Sequence, residues 1–223
     1  MTDIAVVDYG MGNLRSVAKA LEQVAPGLEV VISGDARVVR AARRVVFPGQ
    51  GAMPDCMREM EARGLRTALL DATRTKPFLG LCIGLQMLFE HSDEGDVAGL
   101  GVLPGRVVRF PRGATRDGEK LKVPHMGWNQ VRQSMRHPLW AGIADATRFY
   151  FVHSFYVETT DRALVAGESC YPFPFTCAVA RDNIFAVQFH PEKSHSAGLR
   201  MLSNFVQWDG VHRAALDRAT TLT

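Results

Sequence analysis

An apolar run, Phe78-Leu79-Gly80-Leu81, passes without a spacer into Cys82-Ile83-Gly84 and then into Leu85-Gln86. Strand, sharp turn and helix in immediate succession leave few folds open. The turn crowds its neighbours, so the positions beside the cysteine must be glycine. A strand that feeds straight into a helix belongs to a parallel sheet covered by helices. The rest of the first half repeats the scheme. Ile4-Ala5-Val6-Val7 reads as a strand ended by Tyr9-Gly10-Met11-Gly12. Leu14, Val17, Ala18, Leu21, Val24 and Ala25 recur at helical spacing until Pro26-Gly27 stops them. Residues 28–32 and 44–47 read as strands, the second cut by Pro48-Gly49-Gln50-Gly51. Residues 53–72 read as a helix broken at Gly64, and 85–91 as another helix.

The second half changes character. Residues 107–110, 128–132, 148–152, 156–159, 164–168, 176–180 and 184–188 all read as strands. Turns such as Arg181-Asp182-Asn183 imply hairpins. A closing helix spans 196–208, with Leu199, Leu202, Phe205 and Val206 on one face. The expected fold is α/β: a mixed, mostly parallel central sheet flanked by helices, with antiparallel strands in the second half. A single domain is expected over 1–210, and a small polar tail over 211–223.

Composition narrows the function. The 223 residues carry 26 basic and 23 acidic side chains, a net charge of +3, and 47% are hydrophobic. That excludes a disordered chain, and the small surplus gives no argument for nucleic acid. No run reaches the roughly 18 apolar residues of a membrane span. Met1-Thr2-Asp3-Ile4 places acid where a secretory signal needs positive charge. The expectation is a cytoplasmic protein whose four cysteines (Cys56, Cys82, Cys170 and Cys177) are reduced thiols.

Among them Cys82 carries chemistry. Gly-x-Cys-x-Gly between strand and helix is the cysteine form of a nucleophile elbow. It lifts the sulfur to the carboxyl end of a strand, where open α/β sheets hold their sites. The helix end that follows favours a thiolate, and the Ile83 N–H is placed for a developing oxyanion. A buried structural cysteine fits the same segment. The base that a cysteine nucleophile requires is found in Val187-Gln188-Phe189-His190-Pro191-Glu192. In extended chain, His190 and Glu192 project to one side, which suits a Cys-His-Glu triad. Two other readings stay open: a strand-end histidine beside a first-turn acid, and a metal cluster of His190, Glu192 and His195. The glycines of residues 48–51 let backbone approach a ligand closely, with the Gln50 N–H as a second oxyanion donor. Such a loop can also flip a peptide cheaply.

Together, Gly80-Leu81-Cys82-Ile83-Gly84-Leu85-Gln86 and Phe189-His190-Pro191-Glu192 resemble the motifs of the class I, triad-type glutamine amidotransferases. Three further stretches are similar to the glutaminase subunits of imidazole glycerol phosphate synthases: Asp8-Tyr9-Gly10-Met11-Gly12-Asn13-Leu14, Val123-Pro124-His125-Met126-Gly127-Trp128-Asn129 and Pro191-Glu192-Lys193-Ser194. Gln50 departs from that subfamily, which often has a smaller or apolar residue there; only the backbone N–H is required.

The resemblance implies a flavodoxin-like sheet, no cofactor and no metal. It implies catalytic Cys82, His190 and Glu192, oxyanion donors at Ile83 and Gln50, and glutamine held by Gly49, Gly51, Gln86, Glu94, Ser154 and Phe155. Glutamine would be hydrolysed through a glutamyl thioester. The ammonia would pass to a separate (β/α)8-barrel synthase subunit that makes imidazole glycerol phosphate and AICAR in histidine biosynthesis. Asn13, Arg15, Trp128 and Lys193 are the docking residues this implies for that heterodimer. A barrel of about 250 residues does not fit in this chain beside a glutaminase.

Overall fold

The computed structural model describes residues 2–211 except 112, 114, 117, 118 and 121. Of the tail expected over 211–223, residues 212–223 lie outside the described residues. The first half builds β1 (Ile4–Val7), α1 (Leu14–Val24), β2 (Val30–Ser33), α2 (Ala36–Ala41), β3 (Arg44–Phe47), α3 (Met53–Ala62), α4 (Arg66–Thr75), β4 (Phe78–Leu81) and α5 (Ile83–Gln86). Next come β5 (Phe89–Ser92), β6 (Val97–Ala98), β7 (Leu103–Arg109), β8 (Thr115–Arg116) and β9 (Glu119–Lys120). The chain continues with β10 (His125–Gln133), β11 (Thr147–His153), β12 (Phe155–Thr159), β13 (Val165–Cys170), β14 (Pro174–Arg181), β15 (Ile184–Val187) and α6 (His195–Gln207).

Five strands run parallel in the order β2-β1-β3-β4-β15. This is the doubly wound order with its crossover point beside β1 and β3. Beyond β15 the sheet continues antiparallel through β14, β12 and β7, and β5 rejoins it parallel to β7. β10, β11 and β13 form an antiparallel arm joined through β14.

Side-chain alternation explains the two cores. Val46, Leu79 and Leu81 enter one cluster with α1 and α6, while Val45, Phe47 and Phe78 enter the other with α3 and α4. Strands buried on both faces read as continuous apolar runs, which is why β1, β3 and β4 stand where the sequence places them. The helical stretch 53–72 breaks at Gly64, which takes φ 64°. Asp182 (φ 49°) and Asn183 make the two-residue turn that pairs Arg181 with Ile184.

The helix expected over 85–91 is not formed. α5 ends after one turn, and Phe89-Glu90-His91-Ser92 is strand β5. Leu85, Met87, Leu88 and Phe89 are all fully buried, so the segment has no polar face on which a surface helix would rest.

Candidate active site

Cys82 sits at the end of β4 with φ 55° and ψ −111°, a conformation L-residues rarely occupy. Its N–H donates to the Val187 carbonyl at 2.8 Å, which fixes the turn against β15. The flanking glycines are demanded by packing. A Cβ on Gly84 would overlap the Phe47 carbonyl, and one on Gly80 would come within 2.9 Å of the Ala186 Cβ. The helix that follows is four residues long, so its dipole contributes less at the sulfur than a full helix would.

β15 lies beside β4, and the chain beyond it brings His190 to Cys82. The His190 N–H donates to the Tyr150 carbonyl at 2.9 Å. Ser194 Oγ donates to the His190 carbonyl at 2.6 Å and accepts from the Tyr150 N–H at 3.0 Å. His190 Nδ1 lies 2.8 Å from Glu192 Oε1. Nε2 makes no well-formed hydrogen bond, and the group acting on it is the Cys82 sulfur. Burial works against charge on His190, but Cys82 and then Glu192 overcome it and raise the imidazole to about 10. One ring nitrogen thus faces the carboxylate and the other the sulfur.

A cavity of about 390 Å³ opens over this pair. Gln50, Gly51 and Ile83 line it with Cys82, as do Gln86, Glu94, Ser154 and Phe155. Gly49 is placed differently from the expectation. It packs on Tyr9, whose hydroxyl would overlap an added Cβ, and it borders a small neighbouring cleft instead. Glu94 Oε2 accepts from the Met53 N–H at 2.8 Å, and Cys56 Sγ donates to the Gln50 carbonyl at 3.5 Å. Both contacts tether the segment that follows β3. Burial pushes Cys56 up to about 11 and Cys177 well above its usual range, so both stay neutral thiols.

Two residues that are not among the expected site residues, Gln188 and His153, belong to the site. Gln188 is fully buried, and its Nε2 lies 3.7 Å from Cys82 Sγ. A lone glutamine ending an apolar strand was the available signal. His153 lines the cavity and bonds to His125, which lies in the stretch 123–129. Nothing in the sequence pairs these two; they meet because β10 and β11 align His125 opposite His153.

The remaining expected residues spread around the site. Lys193 lines the cavity. Asn13 accepts from the Ser16 N–H as the cap of α1 and borders the small cleft with His190 and Glu192. Arg15 is exposed on α1. Trp128 is 42% exposed and stacks on His195 at 4.9 Å. Among the described residues, no group of three or more His, Cys, Asp or Glu side chains is arranged to hold a metal ion. No described helix is long and apolar enough to cross a membrane.

Residues 5–208 match the family described as "Glutamine amidotransferase class-I". The chain is 68% identical over 213 residues to "Imidazole glycerol phosphate synthase subunit HisH" of Nitrosospira multiformis, covering 95% of this chain and all of that one. It is 65% identical over 218 residues to the HisH subunit of Thiobacillus denitrificans, with 96% of each chain covered. Among solved structures, PurLQS from Thermotoga maritima superposes with a TM-score of 0.70 at 19% identity, over 93% of this chain and 99% of that one. A putative GMP synthase protein from Thermoplasma acidophilum gives 0.68 at 18% identity, over 100% and 98%. At such identities the structures share the fold.

Proposed function

The chain belongs to the class I glutamine amidotransferases, among the HisH subunits of imidazole glycerol phosphate synthase, and from that membership we propose how its residues divide the work. It is a glutaminase of histidine biosynthesis and one subunit of a larger synthase. Our assignment rests on one observation above all. Cys82, His190 and Glu192 converge at the ends of adjacent parallel strands, below a cavity large enough for a small ligand.

The Cys82 thiolate attacks the side-chain amide carbon of glutamine. The Ile83 and Gln50 N–H groups receive the charge that develops on the amide oxygen; among the described residues neither donates elsewhere. The His190 imidazolium gives its Nε2 proton to the departing nitrogen, and ammonia leaves a glutamyl thioester. His190, now neutral, takes a proton from water, which attacks the thioester carbon. Collapse expels the thiolate and frees glutamate. Glu192 holds Nδ1 as donor throughout, so Nε2 keeps facing the sulfur. Gln86, Glu94, Ser154, Phe155 and Gly51 form the wall that holds glutamine, with Gly49 shaping the loop from behind.

The partner is a (β/α)8-barrel synthase subunit. Met126, 62% exposed, and Trp128 present apolar surface on one face of β10. Trp128 packs on Tyr150, whose carbonyl holds His190, so this surface adjoins the site. With Lys193, Asn13 and Arg15 it forms the docking face across which ammonia reaches the barrel. The working compartment is the cytoplasm, and residues 1–210 act as one domain. The deciding experiment measures ammonia release from glutamine with and without the barrel subunit. Release should rise when the subunit is added and vanish in Cys82→Ala. Release that survives this substitution in pure complex would overturn the assignment.

A further inference from the structure

The stretch 123–129 contributes more than an exposed tryptophan. His125 and Asn129, on β10, begin a line of hydrogen bonds that ends on the catalytic sulfur. Asn129 Nδ2 donates to the Cys170 carbonyl at 2.9 Å and lies 3.3 Å from His125 Nε2. His125 Nδ1 lies 3.0 Å from His153 Nε2, and His153 Nδ1 lies 2.7 Å from the Phe155 carbonyl. That carbonyl also accepts from Gln86 Nε2 at 3.2 Å. Gln86 Nε2 donates again to Gln188 Oε1 at 2.9 Å, and Gln188 Nε2 donates to Cys82 Sγ at 3.7 Å.

Chemistry fixes every proton in this line. A carbonyl only accepts, so His153 carries its proton on Nδ1 and offers Nε2 as an acceptor. His125 must then donate from Nδ1, which leaves its Nε2 to accept from Asn129. The Cys170 carbonyl demands the same orientation of the Asn129 amide from the other end, and the Gln130 N–H confirms it at Oδ1, 2.8 Å away. Gln86 spends both amide protons on acceptors, which orients Gln188 with its own amide toward sulfur. Burial holds both histidines neutral, His125 at about 4 and His153 at about 3. The His125 ring is clamped between Tyr171, at 4.0 Å, and Phe151, at 5.0 Å.

We propose that Asn129, His125, His153, Gln86 and Gln188 form a positioning network that aims the Gln188 amide at the Cys82 sulfur. The network supports negative charge on the sulfur, and its far end lies on the strand that bears Trp128. Every side-chain nitrogen of this buried network is paired and only Gln86 Oε1 has no partner, so deleting one member leaves its neighbours unpaired. The inference rests on Cys82 being the nucleophile, which the Cys82→Ala assay tests separately.

The test uses the full chain. His125→Phe keeps the stack between Tyr171 and Phe151 but removes both nitrogens, whereas His125→Gln keeps an amide donor for His153. In the phenylalanine variant, alkylation of Cys82 by iodoacetamide at pH 7 should slow by roughly tenfold, as for loss of a hydrogen bond to a charged group. The kcat for glutamine in the assembled synthase should fall by a similar factor, with a smaller change in KM. The glutamine variant should recover most of both rates. Alkylation within twofold of the parent, or equal losses in the two variants, would overturn the proposal. If the phenylalanine variant does not fold, nitrogen NMR of the unsubstituted protein decides. Neutral His125 and His153, both protonated at Nδ1 between pH 6 and 8, support the network. A proton on Nε2 of either, or a titration in that range, refutes it.

Discussion

His190 Nδ1 and Glu192 Oε1 meet at 2.8 Å with 3% and 2% of their side chains exposed. Solvent does not screen this contact, so the carboxylate acts on the imidazole at full strength. It adds to the effect of Cys82 in raising His190. Glu192→Gln removes the charge, so the imidazole becomes less basic. The alkaline limb of kcat/KM, set near pH 10 by His190, should move to lower pH, and kcat should fall at least tenfold. The raised imidazole stabilises the fold fully below its ordinary value of 6.5, and that stabilisation fades as pH climbs through about 10. Denaturation midpoints of parent and variant should therefore converge between pH 7 and 10.5. A gap that stays constant would contradict the assigned cause.

Cys82 holds φ 55° and ψ −111° at a cost that alanine shares and glycine escapes. Cys82→Gly and Cys82→Ala should both release no ammonia. The glycine variant should unfold at higher denaturant, by about 1–3 kcal/mol relative to alanine. Equal midpoints would show that the elbow is unstrained.

Gly49 leaves room for the Tyr9 hydroxyl and nothing more. Gly49→Ala should destabilise the protein by about 1–3 kcal/mol and lower kcat, since Gln50 follows directly. Tyr9→Phe removes the overlapping oxygen, which makes no well-formed hydrogen bond. The double substitution should thus be more stable than Gly49→Ala alone. Additive losses in a thermal unfolding series would place the overlap elsewhere.

Met126 and Trp128 together test the docking face. Both are exposed, so Met126→Ala with Trp128→Ala should leave the melting temperature of the isolated chain within a few degrees. Affinity for the barrel subunit, read by calorimetry, should weaken by at least tenfold. Unchanged affinity would move the interface to another surface.

Much of this arrangement is written locally. β4 begins and ends where its apolar run does, β3 ends with its own at Phe47, and Gly64 marks the break between α3 and α4. The Gly-x-Cys-x-Gly turn and the His-x-Glu pair mark the candidate residues, but Glu192 meets His190 from a 3-10 turn, Pro191–Lys193, and not along the extended chain that the sequence suggests. Other features are too short or too dispersed. Residues 36–41 form α2, shorter than two helical turns, and only the Asp35 cap signals it. Residues 85–91 present an apolar run that periodicity cannot resolve when most of its side chains are buried. The histidine pair, 28 residues apart, depends on the register between β10 and β11. Gln86 shows the same limit, since its motif marks it as a substrate contact while its amide protons are spent inside the protein.

β15 is inserted between β4 and β14, although it follows both in the chain. During synthesis the ribosome delivers Cys82 long before β15 and the His190 that follows it. A nascent chain that has emerged only as far as β14 holds a thiol with no imidazole beside it and a sheet missing its central member. Such non-local pairing is slow to form. It also means that His190 reaches Cys82 only once β15 has filled the gap between β4 and β14.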